Sequence, residues 1–180
     1  MIEFVKQSIP EIILLKPKHH GDARGYFIET FNHNHFEKVI GYKINFCQDN
    51  ESKSVKGVLR GLHFQYTPWA QSKLVRVIDG AVLDIAVDIR KGSPTYGQHV
   101  SVELNDINKH QLFIPRGFAH GFVVLSNTAT FAYKVDNYYS PENEGGIFYN
   151  DSDLKIDWKI LKSEIIISEK DKNLTKFRDL

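Results

Sequence analysis

One short stretch of the chain combines residue types that could transfer protons. The segment Gly57-Val58-Leu59-Arg60-Gly61-Leu62-His63-Phe64-Gln65 places an arginine and a histidine between glycines, among residues that favour strands. Histidine can act as a base near neutral pH, and arginine can bind a phosphate through paired donors. Arg60 and His63 would point to opposite faces of an ideal strand, but Gly61 allows a bulge or a close approach that would bring them to one site. The segment also fits a buried, hydrogen-bonded histidine beside a surface arginine.

The spacing of this histidine and of a second one resembles the motifs of the cupins, which are small double-stranded β-barrels of the jelly-roll type. The first cupin motif begins with glycine, five residues and histidine, as Gly57 and His63 do here. The second motif, Pro-x-Gly-x-x-His, is present as Pro115-Arg116-Gly117-Phe118-Ala119-His120. The resemblance implies an all-β, cupin-like jelly-roll barrel.

Two positions that supply metal ligands in cupins hold other residue types in this chain. Gln65 replaces the second histidine of the first motif, and Lys73 stands in the glutamate position before Gly80. A charged lysine has no lone pair for a metal, and glutamine is a poor ligand. His63 and His120 alone fall short of the usual three or four ligands. We therefore expect no metal at this site.

A barrel that keeps histidine and gains lysine and arginine favours acid–base chemistry on an anionic substrate. A lysine ammonium can stabilise a developing oxyanion. Tyrosine can donate a proton, and its ring can line a sugar or base site. Tyr133, Tyr138 and Tyr139 lie close together in the sequence. These tyrosines also fit the core and surface aromatics of an ordinary β-sandwich.

The elements that must position these residues are mostly short strands. An Asp79-Gly80 pair between two apolar runs predicts a hairpin, and Asn32 and Gly41 are typical ends of a helix over 32–40. Residues 81–89 do not alternate perfectly, which suits a strand covered on both faces. Beyond Ile160 the chain becomes charged and helix-compatible. Strands are predicted over 12–15, 26–31, 55–64, 74–78, 81–89, 99–104, 111–114, 121–125 and 130–135.

Length and composition narrow the class of protein. The chain has 180 residues, which predicts one domain over 1–180. Its 23 Lys and Arg against 22 Asp and Glu leave a net charge of +1, which argues against binding a nucleic-acid polymer. The lone Cys47 excludes an intramolecular disulfide. No secretory signal or apolar run of membrane-spanning length is visible, so we expect a cytoplasmic protein that does not enter a membrane.

Several short stretches of the sequence are, by their order and spacing together, highly specific for one protein family. They make the chain similar to the dTDP-4-dehydrorhamnose 3,5-epimerase family from Ile9 to about Leu174. The stretches are Asp22-Ala23-Arg24-Gly25-Tyr26-Phe27-Ile28-Glu29, Gln48-Asp49-Asn50-Glu51-Ser52, residues 58–65, 73–77, 84–90 and 115–122, Tyr138-Tyr139-Ser140-Pro141-Glu142, Asn150-Asp151 and Lys170-Asp171.

The resemblance implies a set of catalytic roles. His63 is the base that removes protons next to a 4-keto group, and Asp171 orients it. Tyr133 is the acid that returns a proton from the opposite face. Lys73 stabilises the enolate oxygen at carbon 4, with help from His120. The reaction is inversion of carbons 3 and 5 of dTDP-4-dehydro-6-deoxy-D-glucose in dTDP-L-rhamnose biosynthesis.

The resemblance also implies binding roles and partners. The substrate is a dTDP-linked 4-keto-6-deoxy sugar, no cofactor is needed, and the protein is a homodimer. Two alternatives stay open: a relative that inverts only carbon 3, and a metal-dependent or non-catalytic cupin. The expected binding residues are Arg60 with Gln48 and Asn50 at the diphosphate, Arg24, Phe27 and Glu29 at the nucleotide, partly across the dimer interface, and Tyr139 stacked on thymine.

Overall fold

The computed structural model describes residues 2–180, and most of the strands form two antiparallel sheets. Strands are numbered along the chain. One sheet has six strands in the spatial order β1 (Ile2–Lys6), β2 (Ile13–Pro17), β10 (Gln111–Ile114), β7 (Lys73–Asp79), β12 (Thr128–Val135) and β5 (Gln48–Val55). The other has five, in the order β13 (Glu144–Gly146), β6 (Leu59–Gln65), β11 (Phe118–Val124), β8 (Ala81–Asp88) and β9 (His99–Asn105). A separate hairpin pairs β3 (His19–Asp22) with β4 (Gly25–Ile28).

Apolar side chains from both sheets form one shared core. Val75 of β7, Val82 of β8 and Phe131 of β12 belong to the same buried cluster. A second cluster packs the opposite face of the five-stranded sheet, through Leu83 and Val87, against the C-terminal part of the chain. Strand β8 is therefore covered on both faces, as its imperfect alternation predicts. The all-β, cupin-like jelly-roll barrel is confirmed.

The helices are short and lie outside the two sheets. Helix α1 (His33–Ile40) begins after Asn32, whose side chain accepts a hydrogen bond from His35 N at 3.1 Å. It ends at Gly41, whose φ of 83° is left-handed, so the predicted ends of this helix are confirmed. The C-terminal part holds the single-turn helix α2 (Glu169–Lys172) between two 3₁₀ turns. None of the helices within 2–180 is long and apolar enough to cross a membrane.

The hairpin predicted at Asp79-Gly80 is wrong. The turn is tight, but β7 and β8 belong to different sheets, so it carries the chain from one sheet to the other. Gly80 is needed there because a Cβ at this position would lie 2.1 Å from the carbonyl oxygen of Thr128. An Asp-Gly pair specifies the turn, whereas the packing of the two sheets decides which strands pair.

Two predicted strand boundaries are also wrong. The predicted strand over 55–64 is interrupted at Gly57, and β5 and β6 on either side of it lie in different sheets. Gly57 has a φ of 82°, and a Cβ there would lie 2.1 Å from the carbonyl oxygen of Glu164. The predicted strand over 26–31 ends at Ile28.

Candidate active site

A cavity of about 620 Å³ opens among the residues that the sequence singles out. A smaller cavity of about 280 Å³ adjoins it and shares Asn50, His63, Lys73 and Tyr133 with it. The predicted residues that line the larger cavity are Asn50, Arg60, His63, Lys73, His120, Tyr133 and Asp171, and the smaller cavity adds Gln48 and Tyr139.

A bulge in β6 brings Arg60 and His63 to the same cavity. His63 lies opposite His120 of β11, but Arg60 lies opposite Phe122, so three steps along β6 match two steps along β11. Gly61 lies within this irregularity with a φ of 117°, and a Cβ there would lie 2.6 Å from the carbonyl oxygen of His120. The bulge predicted at Gly61 is confirmed, and only glycine fits it without strain.

His63 forms a close pair with Asp171, which lies 108 positions further along the chain. The distance from His63 Nε2 to Asp171 Oδ1 is 2.7 Å. The Gly61 N–H donates to the other carboxylate oxygen at 3.3 Å, and the Asp171 N–H donates to Ser168 Oγ at 3.1 Å. Burial alone would raise the pKa of Asp171, but the hydrogen bond and charge of His63, the Gly61 N–H and the Ser168 side chain hold it below its ordinary value. Asp171 is thus a carboxylate that orients the imidazole of His63.

Lys73 and Tyr133 lie on neighbouring strands of the six-stranded sheet, whereas His63 lies on the five-stranded sheet. Lys73 is half-buried and has neither a hydrogen bond nor an ion pair with any residue in 2–180. Burial lowers the pKa of Lys73 to about 8. Burial also raises the pKa of Tyr133, so its hydroxyl keeps its proton at neutral pH. The cavity therefore has a potential base on one wall and a potential acid and a cation on the other.

His120 is buried beside His63 and pairs with a carboxylate of its own. Its Nε2 lies 2.9 Å from Asp84 Oδ2, and Asp84 is fully buried in β8. Burial lowers the pKa of His120, while the Asp84 carboxylate opposes that effect. His120 therefore favours the neutral form, which can donate a hydrogen bond without carrying a charge.

Arg60 lines the larger cavity, and polar residues of β5 line one or both cavities. The Arg60 guanidinium is exposed and donates to Ser54 Oγ through Nε and Nη2, at 3.3 and 3.1 Å. It forms no ion pair with a carboxylate of the described residues. The side chain of Gln48 donates to Asn50 Oδ1 at 2.8 Å. The guanidinium therefore has donors available for an anion.

Tyr139 belongs to a polar cluster beside the smaller cavity. Its hydroxyl donates to Glu144 Oε2 at 2.7 Å, and Lys170 Nζ donates to the same oxygen at 2.5 Å. Burial would raise the pKa of Glu144, but these two partners hold it below its ordinary value. Tyr139 is 52% exposed, so part of its side chain is accessible to a ligand.

Three predicted binding residues are not brought to the cavity by this chain. Arg24 and Phe27 lie on the exposed β3–β4 hairpin, where Arg24 pairs with Asp22 and Phe27 is 73% exposed. Glu29 follows the hairpin and contacts Asn32 at 3.4 Å. None of the three lines either cavity.

Four residues that shape the site have no predicted role from the sequence: Asp84, Glu144, Ser168 and Lys170. Asp84 had a usable signal, because a carboxylate inside the apolar run Val82-Leu83-Asp84-Ile85-Ala86-Val87 must be paired or functional. Ser168 had a weaker one, as a serine three residues before Asp171 fits a helix N-cap. Glu144 on β13 and Lys170 on α2 are residue types usual at the surface, and only the fold brings them together.

Gln65, at a lost ligand position, has a structural role. Its Nε2 donates to the carbonyl oxygens of Trp69 and Tyr138, at 2.6 and 3.2 Å. Its Oε1 accepts from the Ser140 N–H at 2.8 Å. The side chain thereby holds the loop that presents Tyr139.

A cupin-like barrel with these groups around its cavity belongs to the class of acid–base enzymes, and comparison with known proteins gives its family. The family model described as dTDP-4-dehydrorhamnose 3,5-epimerase matches residues 6–179. This chain belongs to that family of epimerases.

Similar proteins of this family align with nearly the whole length of this chain. The dTDP-4-dehydrorhamnose 3,5-epimerase of Shigella flexneri is 52% identical over 97% of this chain and 96% of its own. The crystal structure of the enzyme from Elizabethkingia anophelis has a TM-score of 0.95 at 50% identity, covering 99% of this chain and 97% of the other. The dTDP-6-deoxy-D-glucose-3,5-epimerase of Legionella pneumophila, solved in complex with dTDP-4-keto-L-rhamnose, has a TM-score of 0.95 at 47% identity, covering 99% and 94%.

Proposed function

We propose that this enzyme inverts carbons 3 and 5 of dTDP-4-dehydro-6-deoxy-D-glucose to give dTDP-4-dehydro-L-rhamnose, in dTDP-L-rhamnose biosynthesis. The observation that carries the proposal is one cavity with the His63–Asp171 pair on one side and Tyr133 and Lys73 on the opposite sheet. Inverting a carbon requires a proton to leave one face and another to arrive on the other, so groups on both sides of the sugar are needed.

His63 is the proposed base for both carbons. In a D-gluco chair the hydrogens at carbons 3 and 5 are both axial on the same face, so one imidazole can reach either. The ketone at carbon 4 makes both hydrogens acidic, because the charge left on carbon spreads onto the ketone oxygen. Asp171 holds the ring through Nε2 and stabilises the imidazolium that forms.

Lys73 is the proposed partner of the enolate oxygen. A fixed cation at the oxygen where negative charge develops lowers the barrier by a few kcal/mol, on the order of 3. The ammonium has no hydrogen-bond or ion-pair partner within residues 2–180 that would compete for it. His120, buried beside the same cavity, is the proposed second hydrogen-bond donor to this oxygen.

Tyr133 is the proposed acid that completes the inversion. Its hydroxyl is protonated at neutral pH, and burial raises its pKa further above the ordinary value. Donation of this proton to the enolate carbon, from the face opposite His63, gives the inverted centre. Because both carbons lie next to the ketone, each hydrogen can leave as a proton, and the proposed inversion involves no hydride transfer.

The nucleotide diphosphate supplies binding energy away from the reacting carbons. Arg60, with Gln48 and Asn50 near it, is proposed to hold the diphosphate. Tyr139 is proposed to stack on thymine, an interaction worth about 1–3 kcal/mol for a base on an aromatic ring. The net charge of +1 is compatible with this small anionic partner, because Arg60 and Lys73 both line the larger cavity.

Proton exchange with solvent tests the proposed function directly. In heavy water, the wild-type enzyme with dTDP-4-dehydro-6-deoxy-D-glucose is expected to place deuterium at carbons 3 and 5 of the product. NMR of the isolated sugar nucleotide reads both positions. Exchange at carbon 3 alone would identify a 3-epimerase instead, and exchange at neither carbon would refute the proposal.

Lys73 gives the reaction an expected alkaline limit. With a pKa of about 8 in the free enzyme, Lys73 loses its charge above that pH, and kcat/KM should fall tenfold for each further pH unit. The Lys73→Arg enzyme keeps a charged side chain at this position and should have a lower maximal rate. Its kcat/KM should begin to fall at a pH more than one unit higher than in the wild type. An alkaline limb at the same pH in both proteins would assign it to another group.

A homodimer is the proposed assembly, and the β3–β4 hairpin is its proposed contact. The hairpin exposes Tyr26 and Phe27 at 58% and 73%, and Arg24, Phe27 and Glu29 have no place in the cavity of their own chain. In a dimer they would reach the nucleotide of the partner's site. Phe27→Asp should therefore give a monomer by analytical ultracentrifugation and raise KM. A fully active monomeric wild-type enzyme would contradict the assembly.

The proposed compartment is the cytoplasm.

A further inference from the structure

Asp84 is a buried carboxylate with one oxygen unaccounted for. It lies in the middle of β8 and is fully buried. Its Oδ2 pairs with His120 Nε2 at 2.9 Å, but its Oδ1 is buried and has no hydrogen-bond partner among residues 2–180. An unsatisfied buried oxygen of a charged group is costly and requires a physical reason.

The unpaired oxygen is linked, through His120, to the cavity that holds an unpaired cation. His120, which Asp84 holds, lines the larger cavity together with Lys73 and is the cross-strand neighbour of His63. Lys73 has no hydrogen-bond or ion-pair partner among the described residues. Asp84, which lines neither cavity, and Lys73, which lines both, therefore carry opposite charges, and each lacks a complete set of partners.

We propose that Asp84 is a positioning residue that acts through Lys73 and His120: its charge keeps the Lys73 side chain an ammonium ion before substrate binds, and its hydrogen bond fixes the ring of His120. This role rests on the proposed function, in which the Lys73 cation stabilises the enolate oxygen. Asp84 itself contacts no reacting atom. It explains how a lysine in a desolvated cavity can carry a charge when the enolate forms.

The electrostatics of Lys73 agree with this arrangement. Burial lowers the pKa of Lys73, whereas the negative charges of Asp84 and then Glu144 raise it. Glu144 is also paired with Lys170 and Tyr139, so part of its charge is used elsewhere. The other titratable groups that line cavities with Lys73 are Glu51 on β5, Arg60 and His63 on β6, His120 on β11, Tyr133 on β12, Tyr139 in the loop after β12, and Lys170 and Asp171 on α2.

The test is the titration of Lys73 without substrate, in protein labelled with ¹³C-lysine and with the Lys73 signal assigned from the Lys73→Arg spectrum. Asp84→Asn keeps the shape and the hydrogen bond but removes the charge. The Lys73 pKa should fall by roughly one to three pH units, the range for loss of a nearby opposite charge. The alkaline limb of kcat/KM should move down by the same amount.

Asp88→Asn is the matched control. Asp88 lies on the same strand and is equally buried, but it pairs with Arg90 and lines neither cavity. This control should leave the Lys73 titration unchanged. If Asp84→Asn also left it unchanged, the proposed role of Asp84 would be overturned.

A second variant keeps the proposal testable if Asp84→Asn does not fold. His120→Asn shortens the side chain that occupies one oxygen of Asp84, so the carboxylate interacts more strongly with Lys73, and the Lys73 pKa should rise. A fall or no change would overturn the proposal. Because no substrate is present, these titrations are independent of whether the wild-type enzyme exchanges protons at carbons 3 and 5.

Discussion

Replacing His63 with alanine is expected to abolish deuterium uptake at both carbons 3 and 5. A single base serves both centres in the proposed mechanism, so the two exchanges should be lost together. Loss of a positioned base should cost about 10²–10⁴-fold in rate or more, because the alanine leaves no alternative acceptor at that place. The measurement is NMR of the sugar nucleotide after incubation in heavy water, together with turnover at saturating substrate.

Asp171→Asn should give a smaller loss than His63→Ala. The amide can still contact the ring, but it cannot stabilise the imidazolium, so kcat should fall with little change in KM. His99→Ala is a suitable control for both variants, because His99 lies on β9 and lines neither cavity.

The outcome that would contradict the single base is exchange at carbon 5 that survives in His63→Ala. It would mean that a second base serves that carbon.

Parts of the fold could be predicted because local sequence determines them. The ends of α1 follow from the capping side chain of Asn32 and the left-handed conformation of Gly41. The bulge at Gly61 could be anticipated, because Arg60 and His63 are three residues apart and would lie on opposite faces of a regular strand. Strand pairing could not be predicted at Asp79-Gly80, because a tight turn is compatible with either one sheet or two.

In the candidate site, too, local sequence predicts some features and leaves others undetermined. Segments that hold His63, Lys73 and His120 carry recognisable spacing, but the sequence cannot show that a single helical turn brings Asp171 to His63 Nε2. The contact depends on the C-terminal segment being fixed at both sides of α2. Leu59 N–H donates to the Ile166 carbonyl oxygen at 2.8 Å, and Phe148 N–H donates to the Thr175 carbonyl oxygen at 2.8 Å. Contacts over such separations depend on the whole fold.

Replacing Tyr133 with phenylalanine is expected to separate proton removal from inversion. His63 and Asp171 are untouched, so the enolate still forms and the imidazolium can return a deuteron to the face it came from. The recovered substrate should therefore gain deuterium with its configuration unchanged. Formation of the inverted product should fall by about 10²–10⁴-fold, the usual contribution of a positioned acid.

The control for this variant is another tyrosine that lies away from both cavities. Tyr66 is 53% exposed in the loop after β6 and lines neither of them, so Tyr66→Phe should behave as the wild type does. Inversion at the wild-type rate in Tyr133→Phe would assign the acid to another group. Loss of deuterium uptake as well would show that the hydroxyl is needed to form the enolate. Only exchange with retained configuration fits a base on one sheet and an acid on the other.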